Sequence, residues 1–541
     1  MTIFLKQAAI SGVMVLGVTA CIQTSPNAGG EPNRACEFSG IYSDAEGPDF
    51  LIRNAVLIDG TGAPRRKADI RVREGTVEEI GMLCPAEDEA VLDAAGLIIA
   101  PGFIDTHSHH DVGMANSDRA RSLEAAVSQG VTTIVVGQDG RSVFPITDLA
   151  RRLERMPVAV NVASYTGHGT LRLNATGTHY QREATSDEVA MMEKQLSEDI
   201  ANGSLGLSTG LEYDPGIYSN SQEILALADV LAEKGGRYIS HLRSEDKNLD
   251  NALEEIIRIG SEAGIPVQIS HFKIAYMDFW GQAPEFLNRL NDARARGVDI
   301  TADAYPYDYW QSTLTVLLPD RDLGDLEAAR AALEHSAPAD GLTIVKFDAN
   351  PALIGKTVQE IAEERDIEPA RAYLDLIQEA YAGQDLEDVI ASGVAQELVL
   401  GRSMDSTDIR TLMLWTYTNI SSDGTASGGH PRGYGAFTRS IRWLVRDEQA
   451  ISLEEMIRKC TSLSARNVGL GGRGVLRPGS QADLVLFDAE EISDRADITD
   501  PMAPSVGIDG VWVNGERVWA DGAVTGRYPG RFLSRQDLSA Q

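Results

Sequence analysis

Two rhythms of apolar residues divide the chain. Residues 50–100 alternate apolar and polar in short runs, FLIRNAVLIDG, ADIRVREGTVEEIG and VLDAAGLIIA, with glycine and proline at the breaks. Successive side chains of a strand point to opposite faces, so this period of two predicts a small antiparallel sheet. The far end repeats the rhythm in SQADLVLFDA (480–489) and DGVWVNGERVWADG (509–522), where Asn514-Gly515 predicts a two-residue hairpin turn. The two ends are therefore expected to join in one β-sandwich domain formed by residues 49–100 and 473–525.

Between them the pattern changes to strand, loop and helix, repeated. The predicted strands are GFIDTH (102–107), TTIVVG (132–137), VAVNVASY (158–165), SLGLSTGLEY (204–213), RYISHLR (237–243), PVQISHF (266–272), VDITADAYPY (298–307) and TLMLWTYTN (411–419). Helical patterns separate them, as in 121–130, 184–203 and 221–236. Eight parallel strands alternating with helices predict an α/β fold, a (β/α)8 TIM barrel over 101–472, with its active site at the strands' C-terminal ends. The interval between strands seven and eight is overlong. Residues 318–408 hold their own helical patterns and a TIVKF strand, so an inserted subdomain is expected over the barrel mouth.

The N-terminus breaks both rhythms. Lys6 is followed by an apolar, small-residue run from Ala8 to Val18 that closes with V-T-A-C at Val18–Cys21, the form of an export signal with a lipoprotein-type end. Residues 1–20 are read as that signal, Cys21 as a lipid anchor and 21–48 as a flexible leash. This places the protein in the periplasm or on the outer membrane, with ordinary cleavage and release as the alternative. Cys36 and Cys84 could pair in an oxidising compartment, and Cys460, in a helical pattern, reads as a buried small hydrophobe. No cysteine pair has zinc-knuckle spacing.

With 541 residues, 43% of them hydrophobic, the chain is long enough for a large core. Its 80 acidic against 48 basic residues leave a formal charge of -32, which repels nucleic acid and leaves a small-molecule or peptide-like substrate as the expected partner. A phosphate-binding loop has no support either, because GLGGRGVLRPGS (469–480) lacks the Lys-Ser/Thr pair and the following helix.

The chemistry gathers at the predicted strand ends. IAPGFIDTHSHHD (99–111) places His107 and His109 two apart, on one face of an extended segment, so both imidazoles can reach one metal ion. Strand four ends in Glu212, strand five in His241, strand six in His271, and strand eight runs into Asp423. Four of the nine histidines thus stand at strand ends. The set reads as a two-metal site: His107, His109 and Asp423 on one ion, His241 and His271 on the other, with a carboxylate between. Nitrogen and oxygen donors suit Zn²⁺, with Mn²⁺ or Co²⁺ as alternatives. A metal-activated hydroxide would be the nucleophile and Asp423 the proton carrier. His110, adjacent to His109, is expected to face away.

STGLEYDPGIYS, SHLRSE, ISHFK, DAYPYDYWQST and SSDGTASGGHPRGYGAF together resemble the N-acyl-D-amino-acid deacylase (D-aminoacylase) family of the amidohydrolase superfamily, over roughly residues 50–525. The resemblance implies a metal-dependent hydrolase that cleaves an amide to a carboxylic acid and a D-amino acid. It also implies that Tyr305 and Arg432 hold the substrate's carboxylate, with Lys273, Tyr213 and Ser312 as further substrate contacts. Two positions depart from the family pattern. Its bridging cysteine after strand two is replaced in Gln138-Asp139-Gly140, so Glu212 is expected to bridge the metals and Asp139 is the alternative. Trp310-Gln311 replaces a glycine-serine pair beside the carboxylate pocket. The rival readings are a dipeptidase or cyclic-amide hydrolase on the same scaffold and a non-catalytic surface binding protein.

Overall fold

Eight short parallel strands carry the middle of the chain in this computed structural model. It describes residues 47–535 apart from 112, 115, 319–321, 323, 384–394 and 426–427. The expected export signal, Cys21, Cys36 and nearly all of the expected leash lie outside the described residues. Cys84 is disulfide-bonded, and Cys460 is a buried free thiol. No helix among the described residues is long and apolar enough to cross a membrane.

The strands are β1 (Phe103–Asp105), β2 (Val131–Val136), β3 (Asn161–Ser164, continued by Thr166–Gly167), β4 (Gly206–Gly210), β5 (Arg237–His241), β6 (Val267–Ile269), β7 (Ile300–Ala304) and β8 (Thr418–Ile420). β1, β2 and β3 pair in parallel, and the continuation of β3 pairs with β4 to start the run β4-β5-β6-β7-β8. Almost every residue of these strands is buried, because helices cover the outer face and side chains fill the inner one. The ring closes beyond the ends of β1 and β8, where Ser108 bridges Gly424 in parallel. There the Asp423 N–H donates to the His107 carbonyl and the His109 N–H to the Gly424 carbonyl, both at 2.9 Å.

The eighth strand departs from expectation. TLML lies in a helix, Ser406–Leu414, with Trp415 at its C-cap and its start capped by the Asp405 side chain, which accepts the Thr407 and Asp408 N–H groups. Ile409, Leu412 and Met413 are its buried apolar residues, a spacing of three and four, and only Thr418–Ile420 enter the barrel.

Between β7 and β8, a three-stranded antiparallel sheet is built from Tyr309–Ser312, Glu397–Arg402 and Leu342–Phe347, the middle strand being Glu397–Arg402. Its first strand lies upstream of residue 318. Helices Leu326–His335, Val358–Arg365 and Pro369–Ala380 pack on it.

The chain ends meet in a nine-stranded sheet, joined where Leu484–Phe487 runs antiparallel to Ile98–Pro101. Asn514 and Gly515, both with positive φ (50° and 84°), make the expected hairpin turn between Ile508–Val513 and Glu516–Ala520. The sheet curls enough to bring Phe50 within 5.7 Å of Trp512, ring to ring, at the centre of a separate apolar core.

Candidate metal centre and active site

The hydrogen bonds that close the barrel also assemble its chemistry. With His107, His109 and Asp423 held on paired backbones, the Nε2 atoms of His107 and His109 lie 3.6 and 3.2 Å from Asp423 Oδ1. Asp139 comes from the turn after β2. Its backbone is left-handed (φ 51°) between Gly137 and Gly140, which share that sign, and Gln138 pins the turn by donating to the Thr106 carbonyl at 2.8 Å. The Asp139 carboxylate lies 3.4 Å from His107, 3.3 Å from His109 and 3.5 Å from His271, each at Nε2. His271 follows β6 with φ 33°, and its N–H donates to Asp303 Oδ1 at 2.8 Å. His241 ends β5 with Nδ1 3.1 Å from His271 Nε2. His271, Asp139 and Asp423 (φ 47°) are all non-glycine residues in the left-handed region, a costly backbone that clusters at functional sites.

Glu212 stands outside the group centred on Asp139. Its carboxylate meets His241 Nε2 at 2.9 Å, whereas Nδ1 of the same ring faces His271. The two nitrogens of an imidazole diverge, so Glu212 stands on the far side of His241 and orients the ring. The carboxylate that touches histidines from both β1 and β6 is Asp139, and His107, Asp139, His271 and Asp423 form one group with donor atoms within 4.8 Å of one another.

A second group, His241, Glu245 and His271, meets the same distance limit. There, however, the Lys273 ammonium already donates to both Glu245 oxygens at 2.8 Å. Lys273 thereby takes Glu245 out of use as a ligand, leaving His241 and His271 as the donors of that group, so the first group is the better ion site. Glu245 also lies 3.0 Å from His271 Nδ1, where it can fix the ring. It was not among the candidates read from the sequence, although SHLRSE carried a signal, a carboxylate four residues after His241.

Burial works against charge throughout the cluster, and the partners overcome it. Desolvation pushes His109 down, but the hydrogen-bonding carboxylates of Asp139 and Asp423 lift it to about 10. Asp139 and Asp423 stay well below the usual carboxylate range despite burial: His107 and His271 hold the first down, Arg432 and His271 the second. The cluster thus pairs two anionic carboxylates with cationic partners. Nε2 of His107 and Oδ1 of Asp139, 3.4 Å apart, are buried without a well-formed hydrogen bond among the described residues. Unsatisfied donor atoms of N and O type converging on one point fit a divalent cation. His110, pushed down to about 4 by burial and then by His109, belongs to neither group.

An amidohydrolase family model matches residues 407–519. Over the whole length, the chain is 34% identical to D-aminoacylase of Alcaligenes xylosoxydans xylosoxydans, across 518 residues that cover 91% of this chain and 99% of that protein. The chain belongs to the N-acyl-D-amino-acid deacylase family. An N-acyl-D-glutamate deacylase of the same organism is 33% identical, covering 90% of this chain and 96% of that one. The crystal structure of N-acyl-D-glutamate deacylase from Bordetella bronchiseptica, with zinc and a phosphonate mimic of the tetrahedral intermediate, superposes with a TM-score of 0.79. It is 32% identical and covers 90% of this chain and 100% of its own.

Four of the five other positions singled out by the family resemblance line a cavity of about 450 Å³ in front of the cluster. Ser312, Tyr213, Lys273 and Arg432 line it together with His109, Asp139, Glu212, His271 and Asp423. The Tyr213 ring packs 4.3 Å from that of His241. Arg432 begins a helix (Arg432–Ser440); His430 Nδ1 accepts its N–H at 3.0 Å, and its Nη1 lies 2.7 Å from Asp423 Oδ2. Lys273 also lies 2.7 Å from His271 Nδ1, so its ammonium at the cavity wall is engaged by Glu245 and His271. Tyr305 is not among the lining residues. It is buried with its ring 4.8 Å from the Arg432 guanidinium, and its hydroxyl has no well-formed hydrogen bond among the described residues.

Proposed function

We propose that this protein is a metal-dependent hydrolase that cleaves the amide bond of N-acyl-D-amino acids. The observation that carries the reading is the unsatisfied Asp139-centred cluster at the barrel mouth of a chain belonging to the deacylase family. His107, His109 and Asp423 would hold one ion and His241 Nδ1 and His271 Nε2 a second, with Asp139 shared between them. Zinc fits these donors, and Mn²⁺ or Co²⁺ are alternatives. When bound, the ions supply Lewis-acid activation of water and of the scissile carbonyl.

The chain's own groups do the rest. Asp423, kept anionic, accepts a proton from the attacking water at a carboxylate oxygen and returns it to the departing nitrogen. Arg432 takes the substrate's carboxylate through N–H groups not committed to Asp423, and Tyr305 supports it from below. Ser312 and Tyr213 line the space left for the acyl group and carbonyl. Glu212 and Glu245 hold His241 and His271 in register.

The lipoprotein-type ending V-T-A-C at Val18–Cys21 supports export of the enzyme and attachment through a lipid at Cys21, in the periplasm or at the outer membrane. Metal analysis with rates on N-acetyl-D- and N-acetyl-L-amino acids tests the reading. About two ions per chain and hydrolysis confined to D-substrates are expected. Preference for L-substrates overturns the stereochemical assignment, and absence of both metal and hydrolysis overturns the enzyme.

A further inference from the structure

On the footing of the deacylase reading, we propose that the cavity selects substrates whose amino-acid side chain is apolar and rejects those carrying a second carboxylate. The wall contributed by the segment between β7 and β8 includes Trp310, Val316, Leu317, Tyr381 and Leu398. Val316, Leu317 and Leu398 are only half-buried, so they leave apolar surface facing the cavity for a ligand to cover.

The charges point the same way. Among the described lining residues stand seven carboxylates and three basic side chains, Arg141, Lys273 and Arg432. None is left for a second carboxylate: Arg432, 2.7 Å from Asp423, is taken by the substrate's own α-carboxylate, Lys273 pairs with Glu245 at 2.8 Å, and Arg141 donates to the Asp214 carbonyl at 3.4 Å. An acidic side chain entering here would lose its hydration without gaining an uncommitted cation among the described residues. An apolar one would displace water from Val316 and Leu317. Whole-chain identity does not discriminate between these classes, since it is 34% to D-aminoacylase and 33% to N-acyl-D-glutamate deacylase.

The test measures kcat/KM of the zinc-loaded full-length enzyme on the N-acetyl derivatives of D-leucine, D-methionine, D-glutamate and D-aspartate. The apolar pair is expected to exceed the acidic pair by on the order of a hundredfold. Val316→Lys, at a half-buried position, should raise the glutamate-to-leucine ratio about tenfold with bound metal unchanged. Equal or faster turnover of the acidic pair overturns the proposal. So does a preference for N-hexanoyl over N-acetyl substrates without discrimination among side chains, which would assign the apolar wall to the acyl group. Failure to turn over any of the four by fully metallated protein removes the deacylase reading itself, and this inference with it.

Discussion

Two buried carboxylates sit at opposite ends of the same barrel and have opposite surroundings. At the start of β1 and β3, Asp483 accepts from the Asn514 N–H at 2.8 Å, from Asn161 Nδ2 at 3.3–3.4 Å, and from Arg473. It ties the β-domain to the barrel floor. At the other end, Asp139 stands among three imidazoles with Oδ1 lacking a well-formed hydrogen bond among the described residues, on a left-handed backbone. The first carboxylate completes the fold, whereas the second is held ready for something the fold does not itself contain. That difference, more than burial or charge, separates a structural polar cluster from a functional one.

The comparison can be broken most sharply at Asp423. Asp423→Asn should cost on the order of a thousandfold in kcat, about 4 kcal/mol, while metal analysis still finds the ions bound. The opposite profile is expected for Asp483→Ala: about 3 kcal/mol of stability lost in denaturant titration, with kcat/KM of the folded fraction unchanged. Activity loss at Asp483 without loss of stability would erase the distinction.

A third buried carboxyl sharpens it. Glu397 accepts the Leu314 N–H at 2.9 and 3.0 Å and the Tyr381 hydroxyl at 3.2 Å, and burial pushes it up to about 8. Its folded value lies above the unfolded one, so its stabilising contribution is complete below about pH 4.5 and is lost as pH rises through 8. Melting temperature should therefore fall between pH 5 and pH 8, by the equivalent of on the order of 2 kcal/mol. Glu397→Gln should flatten that slope. The smallest effect expected is at Glu212: Glu212→Gln should weaken metal affinity about tenfold by releasing the His241 ring. Asp139→Ala should instead remove bound metal outright, and equal losses in the two variants would return Glu212 to the bridge.

Much of this was legible without coordinates. The HxH pair, the histidines closing β5 and β6 and the aspartate beyond β8 are products of local periodicity, which places consecutive strand ends on one rim. The eighth strand was misread because a short apolar run such as TLMLW satisfies a period of two and of 3.6 equally, and the deciding cap, Asp405, lies outside the run. Glu212 and Asp139 were both visible as carboxylates at strand ends. Their roles were not, because the choice depends on which nitrogen of His241 faces inward and on a left-handed turn between two glycines.

By itself, then, the sequence determined the order of the strands, the family and the kinds of donor brought to the rim, since each depends on residues close together along the chain. Tertiary structure decided which carboxylate stands among the histidines, that Lys273 neutralises Glu245, and that an apolar wall faces the cluster. Those outcomes rest on side-chain directions and distances between different strand ends, from Lys273 and Glu245 on neighbouring strands to the ring closure at Ser108 and Gly424.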